Sequence, residues 1–288
     1  MTDKTSSYIA KIDALPSLRK LVEVMDLRAR KSLGQNFLFD LNLTRKIARS
    51  AGSLDGTTIE IGPGPGGLTR ALLLEGAQHV YAIEKDKRAI EALSGLVSAA
   101  GDHLTLIEDD ATHHPIWELG TVPRRVIANL PYNIATNLLV SWLGHASAFE
   151  SLTLMFQREV AERIIAPVGS PAYGRLSVLA ALYADCDILF DIPPEAFVPA
   201  PKVVSSVIQI VPLKAPRFAC DPTSLAEVTR LAFGQRRKML RGSLKPIGGT
   251  ALIEQAGLDP EKRPQDLGVA EFCALANCYD AAQKARNQ

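Results

Sequence analysis

The chain has 288 residues, 47% hydrophobic and 22% charged, with a formal net charge of +1. That composition supports one large or two modest globular domains with a real core, and it excludes a disordered chain and a coiled coil. No stretch approaches the roughly 18 consecutive apolar residues of a spanning helix, and Met1 to Ser17 lacks the apolar centre of a secretory signal, so a cytoplasmic location without a membrane partner is expected.

In chain order, Leu15, Leu18, Leu21, Val22 and Met25 predict an amphipathic helix in an N-terminal extension, residues 1–27, packed against its own domain. A small basic cluster follows at Arg28, Arg30 and Lys31, just before Gln35-Asn-Phe-Leu38. From Thr57 to about Ile127, apolar runs at 57–61, 79–83, 103–107 and 125–128 alternate with helical spacing at 68–74 and 87–97. This is the βαβα pattern of a parallel sheet covered on both faces. Further strands are predicted at 151–156 and 203–211, with helical stretches near 159–165 and 175–181 between them. The segment 192–201 carries four prolines between Pro193 and Pro201, and it can continue neither a helix nor a central strand. After Pro212 and Pro216 the strand signals stop. The predicted fold is α/β, with a Rossmann-like catalytic domain at 28–213 and a small helical domain at 214–288.

The first strong strand runs into Glu60-Ile-Gly-Pro-Gly-Pro-Gly-Gly-Leu-Thr69. Glycines let the backbone turn sharply and approach a ligand, and the helix that follows offers N–H groups at its start. Gly62, Gly64 and Gly67 also satisfy the dinucleotide fingerprint, with Glu84 about 20 residues on, where a ribose-binding acid belongs. The loop alone permits a nicotinamide cofactor or S-adenosylmethionine. Glu60 and the two loop prolines favour the second, because a carboxylate there can hold loop N–H groups or face a sulfonium cation. The third strand ends in Glu108-Asp-Asp-Ala111, whose acids converge on the same sheet edge, where one could accept from an adenine amine.

At the end of the fourth strand lies Asn129-Leu-Pro-Tyr132, which supplies an amide oxygen, backbone carbonyls and a ring face at one place. Two acceptors that take the hydrogens of adenine N6 favour a pyramidal nitrogen aimed at an electrophilic methyl, by orientation and electrostatics. No nucleophile triad or metal-ligand spacing competes, and His113-His114 before Pro115 reads as a surface turn. The cysteines Cys186, Cys220, Cys273 and Cys278 form no Cys-x-x-Cys pair and read as reduced and structural, with no metal site expected. Between Val228 and Ile253 stand six basic residues, Arg230, Arg236, Arg237, Lys238, Arg241 and Lys245, and no acid; beside an adenine-directed site they suggest a phosphate-binding face.

These segments, in this order, resemble the ribosomal RNA adenine dimethyltransferases, and the resemblance also takes in Phe156-Gln-Arg-Glu-Val160, Tyr173-Gly-Arg-Leu-Ser177, Phe197-Val-Pro-Ala-Pro-Lys-Val203 and Phe233-Gly-Gln-Arg-Arg-Lys238. It implies a class I S-adenosylmethionine methyltransferase that dimethylates two adjacent adenosines in the 3′-terminal hairpin of 16S rRNA, in the small subunit or its precursor. It implies that Asn36, Leu38, Gly62 and Asn129 touch the cofactor, that Glu84 holds the ribose hydroxyls and that Asp110 holds the adenine amine. Asn129 with the carbonyl of Leu130 or Pro131 would bind the target N6, and Tyr132 and Phe197 would sandwich the flipped base. A monomer is expected. Large-subunit adenine methylases share the motifs, a nicotinamide oxidoreductase would explain only the loop and Glu84, and a non-catalytic assembly factor on the same scaffold stays open.

Overall fold

The structure, a computed structural model, describes residues 2–27, 29–30 and 33–286. Arg28 and Lys31 of the small basic cluster lie outside the described residues, as does Ser32. At the N-terminus are α1 (Thr2–Asp13) and α2 (Leu18–Val24), followed by β1 (Phe37–Leu38) and α3 (Leu41–Ser50). Next come β2 (Thr57–Ile61), α4 (Gly67–Leu74), β3 (His79–Glu84), α5 (Lys87–Ala100), β4 (Leu104–Glu108), β5 (Arg124–Ala128), α6 (Tyr132–Leu143) and β6 (Ser151–Gln157). Then α7 (Arg158–Ile165), α8 (Arg175–Tyr183), β7 (Ala184–Ile192), β8 (Phe197–Val198) and β9 (Ser205–Pro212) precede α9 (Pro222–Gly234), α10 (Leu240–Ser243), α11 (Gly249–Gln255) and α12 (Val269–Arg286).

Seven strands form one sheet in the order β4-β3-β2-β5-β6-β9-β7. The pairs β3–β4, β2–β3, β2–β5 and β5–β6 are parallel, and β9 runs antiparallel to β6. β2 is buried along its whole length, TTIEI with no exposed position, as the central strand of a sheet covered on both faces must be. The chain reverses direction of travel across the sheet between β2 and β5, and ligands of open parallel sheets bind outside the carboxyl ends of the strands at such a switch point.

Three strands escape the sequence pattern. β7 carries Asp185, Asp187 and Asp191 and closes one edge of the sheet, where half-exposed strands tolerate acids and show no apolar run. β1 and β8 are two residues each and pair only with one another, Phe37 opposite Val198 and Leu38 opposite Phe197. β8 thus places a short strand inside the proline-rich segment. The N-terminal helix is two helices: Pro16 interrupts it, and Ser17 caps α2 by accepting from the Lys20 N–H. Leu18 is buried and Met25 is exposed, so Met25 leaves the apolar face expected of it.

The chain divides into two compact units, residues 1–161 with 187–212, and residues 162–186 with 213–288. The first holds the sheet. The second is helical and contains, besides 213–288, the stretch 162–186 with α8, so it begins earlier in the chain than a boundary at 213/214 places it. Its core gathers Val178, Leu182, Leu225, Val228, Phe272 and Leu275. Two motifs of the resemblance turn out to be its framework. Tyr173 donates its hydroxyl to the Leu267 carbonyl at 2.9 Å, and its ring meets Phe233 edge-on with centroids 5.9 Å apart. Ser177 accepts from the Gly174 N–H and donates to the Arg163 carbonyl. None of the four cysteines is in a disulfide, and Cys273 is buried in α12 with its sulfur 3.4 Å from that of Cys220. No helix among the described residues is long and apolar enough to cross a membrane.

Burial pushes the Tyr173 phenol up to about 12, so it stays a hydrogen-bond donor throughout the working pH range. Tyr173→Phe leaves the buried Leu267 carbonyl without that donor. It should cost about 1–3 kcal/mol in denaturant unfolding, with the fold retained.

Candidate active site

One cleft of about 920 Å³, partly open to solvent, lies at the carboxyl edge of the sheet. Its walls come from residues 33–38, the loop 60–68, the end of β3 at Ile83–Lys85, the turn Asp109–Ala111 after β4, and Asn129–Tyr132 after β5. The structure therefore brings together Asn36, Leu38, Gly62, Glu84, Asp110, Asn129, Leu130, Pro131 and Tyr132 in a single pocket.

The glycine loop is held by its own sheet. Gly62 N–H donates to the Ile83 carbonyl at 2.9 Å, Gly64 N–H to Glu84 Oε2 at 3.1 Å and Gly66 N–H to the Pro63 carbonyl at 2.9 Å. Gly62, Gly64 and Gly66 all have positive φ, which L side chains rarely adopt. A Cβ on Gly67 would stand 2.5 Å from the Leu38 carbonyl oxygen, so that position has no room for a side chain. These three N–H groups are spent internally, so any amide cradle for a ligand would have to come from the start of α4.

The acids divide the work. Glu84 Oε1 accepts from the Lys85 and Asp86 N–H groups at 2.9 Å each, and Oε2 from Gly64. Burial raises this carboxyl above its ordinary value against those three bonds. Each carboxylate oxygen has two lone pairs, so Oε2 can still accept from a hydroxyl. Asp110 Oδ1 accepts from the Thr112 N–H and hydroxyl, and Oδ2 pairs with Lys85 Nζ at 3.2 Å. The Thr112 bonds and Lys85 bring its pKa down to about 2, so it is an acceptor at any working pH. Asp109 Oδ2 lies 2.7 Å from His114 Nδ1, within hydrogen-bond distance in the turn. Glu60 is 2% exposed, and its Oε2 is buried without a hydrogen-bond partner. Burial, with the nearby Glu84 charge adding to it, pushes its pKa up to about 8.

At the β5 end, Asn129 donates Nδ2 to the Asn36 carbonyl at 3.0 Å, which leaves Oδ1 as the acceptor of that amide. The Pro131 carbonyl accepts from the Ile134 and Ala135 N–H groups at 3.1 Å, in the first turn of α6. Of the two carbonyls named for this role, Pro131 is thus occupied, and Leu130 accepts no hydrogen bond among the described residues. Tyr132 is half-buried, with its hydroxyl 2.5 Å from Ser205 Oγ. Phe197 is corrected: it is 2% exposed in the apolar core beneath β1 and does not line the cleft, because its pairing with Leu38 turns it inward. Sequence reasoning passed over Gln35 and Phe37, which also line the cleft. The Phe37 ring packs so closely on the loop that a Cβ on Gly64 would come within 2.9 Å of it, a contact that no sequence spacing shows.

The basic residues of the second unit fall into two groups. Arg230 pairs with Glu227 at 2.7 Å, Arg241 lies 3.6 Å from Glu261, and Arg236 is half-buried and donates to the Ser170 carbonyl. Arg237, Lys238 and Lys245 are exposed and have no ion-pair partner among the described residues. The sequence window began one residue after Glu227 and so overstated the free charge. Among the described residues there is no group of three His, Cys, Asp or Glu able to hold a metal ion.

The donor set fits S-adenosylmethionine. Acceptor oxygens from Glu84 and Asp110 suit a ligand of hydroxyls and amines, and the buried Glu60 carboxyl, whose Oε2 has no hydrogen-bond partner among the described residues, sits in the cleft wall beside them. Among the described residues Lys85 is the one basic lining residue, and it is already paired. The dinucleotide fold has six strands in the order 3-2-1-4-5-6, whereas here antiparallel β9 sits between β6 and β7. Strand order and site together define a class I S-adenosylmethionine-dependent methyltransferase.

Known proteins make the assignment finer. A family model described as ribosomal RNA adenine dimethylase matches residues 26–281. A relative from Sinorhizobium medicae named Ribosomal RNA small subunit methyltransferase A is 52% identical over 274 residues, 94% of this chain and all of the relative. One of the same name from Paracoccus denitrificans is 53% identical over 95% of this chain and 99% of its own length. A crystal structure of a dimethyladenosine transferase from Plasmodium falciparum superposes with a TM-score of 0.69 at 26% identity, covering 83% of this chain and 95% of that one. The chain belongs to the ribosomal RNA adenine dimethylase family.

Glu60 keeps its proton in the folded chain up to about pH 8, while the unfolded carboxyl ionises near 4.5. The unfolded state therefore binds fewer protons in between, and stability from this group falls as pH rises from 4.5 towards 8. Glu60→Gln should flatten that dependence. Denaturant unfolding without cofactor should show the variant gaining on the parent between pH 5 and pH 8.

Proposed function

We propose that the chain transfers methyl groups from S-adenosylmethionine to N6 of two adjacent adenosines in the 3′-terminal hairpin of 16S rRNA, in the small ribosomal subunit or its precursor. The observation that carries this reading is Asn129, its Nδ2 tied to Asn36 and its Oδ1 left to accept, beside a Leu130 carbonyl that accepts no hydrogen bond among the described residues, in the wall of an acid-lined cleft. The names of the relatives favour the small subunit over the large-subunit alternative.

The bound cofactor supplies an electrophilic methyl on a sulfonium. Glu84 would accept from the ribose hydroxyls and Asp110 from the adenine amine, and Asn36, Leu38 and Gly62 would contact the remainder. Asn129 Oδ1 and the Leu130 carbonyl each accept one hydrogen of the target amine. These two bonds withdraw the N6 lone pair from conjugation with the ring and direct it at the methyl. Tyr132 stacks on the base, and its hydroxyl bond to Ser205 fixes the ring. A base reached in this way comes from a loop, where unstacking is least costly. No strong base is needed, because the proton leaves an already cationic nitrogen after transfer.

Purified protein with labelled cofactor and under-methylated small subunits should put label into the 3′-terminal hairpin, read by mass analysis of the rRNA. Absence of label there sinks the reading. Asn129→Ala should lower the transfer rate at least ~100-fold, the scale seen when one aligned donor or acceptor at a reacting centre is removed.

Arg237, Lys238 and Lys245 are proposed to bind phosphate in the flanking RNA. Replacing all three by Gln should weaken subunit binding and reduce the slope of log affinity against log salt by about two, at roughly 0.7 per phosphate contact on single-stranded RNA. Arg236→Ala should instead lower thermal stability, because it removes the bond to Ser170.

A further inference from the structure

The segment 33–38 does more than line the cleft. It touches the glycine loop, Asp86 just after β3 and the Asn129 turn. Its far end is fixed by the β1–β8 pairing, Phe37 opposite Val198. Its near end is fixed by Gln35, whose Nε2 donates to Asp86 Oδ2 at 3.0 Å and whose Oε1 accepts from the Arg30 N–H at 2.9 Å. Between these two anchors lies Asn36, whose backbone carbonyl receives the Asn129 amide.

Asp86 is a firm anchor. It is buried, it caps α5 by accepting from the Arg88 N–H, and Arg88 Nη2 reaches Oδ2 at 2.6 Å. Gly34, just before Gln35, has φ +64 and packs so closely on the Asn129 turn that a Cβ would stand 2.8 Å from Asn133 Oδ1 and 3.3 Å from Pro131. The segment therefore cannot slide along that turn without a clash. A carboxamide rotated by half a turn exchanges its acceptor for a donor, and a donor facing an amine repels it. What keeps Asn129 the right way round is thus a carbonyl that belongs to another part of the chain.

We propose that Gln35 is a positioning residue for methyl transfer: by tying the 33–38 segment to Asp86, it holds the Asn36 carbonyl where it orients the Asn129 amide with Oδ1 towards the target amine. The proposal rests on the reading of Asn129 given above. Gln35 touches neither reacting atom, and its effect passes through one peptide group. A misplacement of about 1 Å at a reacting centre costs on the order of 100-fold in rate, so a loosened segment should be visible in kcat.

Three variants of the full chain test this: Gln35→Leu, Gln35→Glu, and the exchanged pair Gln35→Glu with Asp86→Asn, in which the amide now donates from position 86. Asn129→Ala runs alongside. Transfer to under-methylated small subunits is measured under single turnover, with the cofactor raised until the rate no longer changes. Gln35→Leu should stay at least tenfold slow at saturating cofactor, Gln35→Glu should be slower still through repulsion from Asp86, and the exchanged pair should recover to within about threefold of the parent. If high cofactor restores Gln35→Leu, the residue serves cofactor binding alone and the proposal falls. It falls equally if the exchanged pair is no faster than Gln35→Glu. If Gln35→Leu does not fold, the comparison of Gln35→Glu with the exchanged pair decides. Should Asn129→Ala transfer at the parental rate, the reading of the site itself fails and takes this proposal with it. Loss in Asn129→Ala with no loss in the Gln35 variants overturns only the positioning role.

Discussion

Everything in the cleft depends on one property of the sheet, the reversal of strand order between β2 and β5. Because β3 lies to one side of β2 and β5 to the other, the loops that leave their carboxyl ends diverge and open a crevice between them. A glycine loop, two strand-end acids and an asparagine turn reach the same crevice from four consecutive strands. None of these features is near another in sequence; Glu60 and Asn129 come from adjacent strands of the sheet. Local bonds then set the details. Glu84 tethers Gly64, and Asn36 tethers Asn129, so the groups that would face a ligand are those whose other contacts are already made.

Where the pattern had a single period, sequence reasoning located the elements closely. The runs 57–61, 79–83 and 125–128 became β2, β3 and β5 almost to the residue, since buried parallel strands are short and continuously apolar. β7 was hidden because an edge strand alternates acids with apolar residues and follows a helix with no break. β1 and β8 were hidden because two residues carry no period. What makes them strands is each other, across about 160 positions of chain. Pro16 dividing the N-terminal helix was readable from proline chemistry alone and was missed by following the leucines.

The site was legible as a set of residue types, less so as a set of contacts. Glycines, strand-end acids and Asn129–Tyr132 are found together as their spacing implied. Which carbonyl stays open after β5 depends on whether α6 starts at Tyr132 or later, and its start at Tyr132 consumes Pro131. Phe197 illustrates the opposite error, in which a motif letter suggested chemistry and packing claims the ring for the core. Tyr173, Ser177 and Phe233 are similar: signature residues that hold the second unit together. Charge counts fail for a related reason, because Glu227 and Glu261 act through space and lie outside the window that was counted.

The order in which the polypeptide visits its two units has a consequence for biosynthesis. The chain leaves the sheet unit after 161, returns at 187 and departs for good at 212. α8, with Val178 and Leu182, therefore emerges from the ribosome well before α9 and α12, the helices among which those side chains are buried. Until the last residues are made, that apolar surface has no native cover, and proteins cut back to the sheet unit at 213 keep the same surface bare. Such fragments are aggregation hazards, and the natural seam for dissecting this molecule is not a single cut but the removal of two separate stretches of chain.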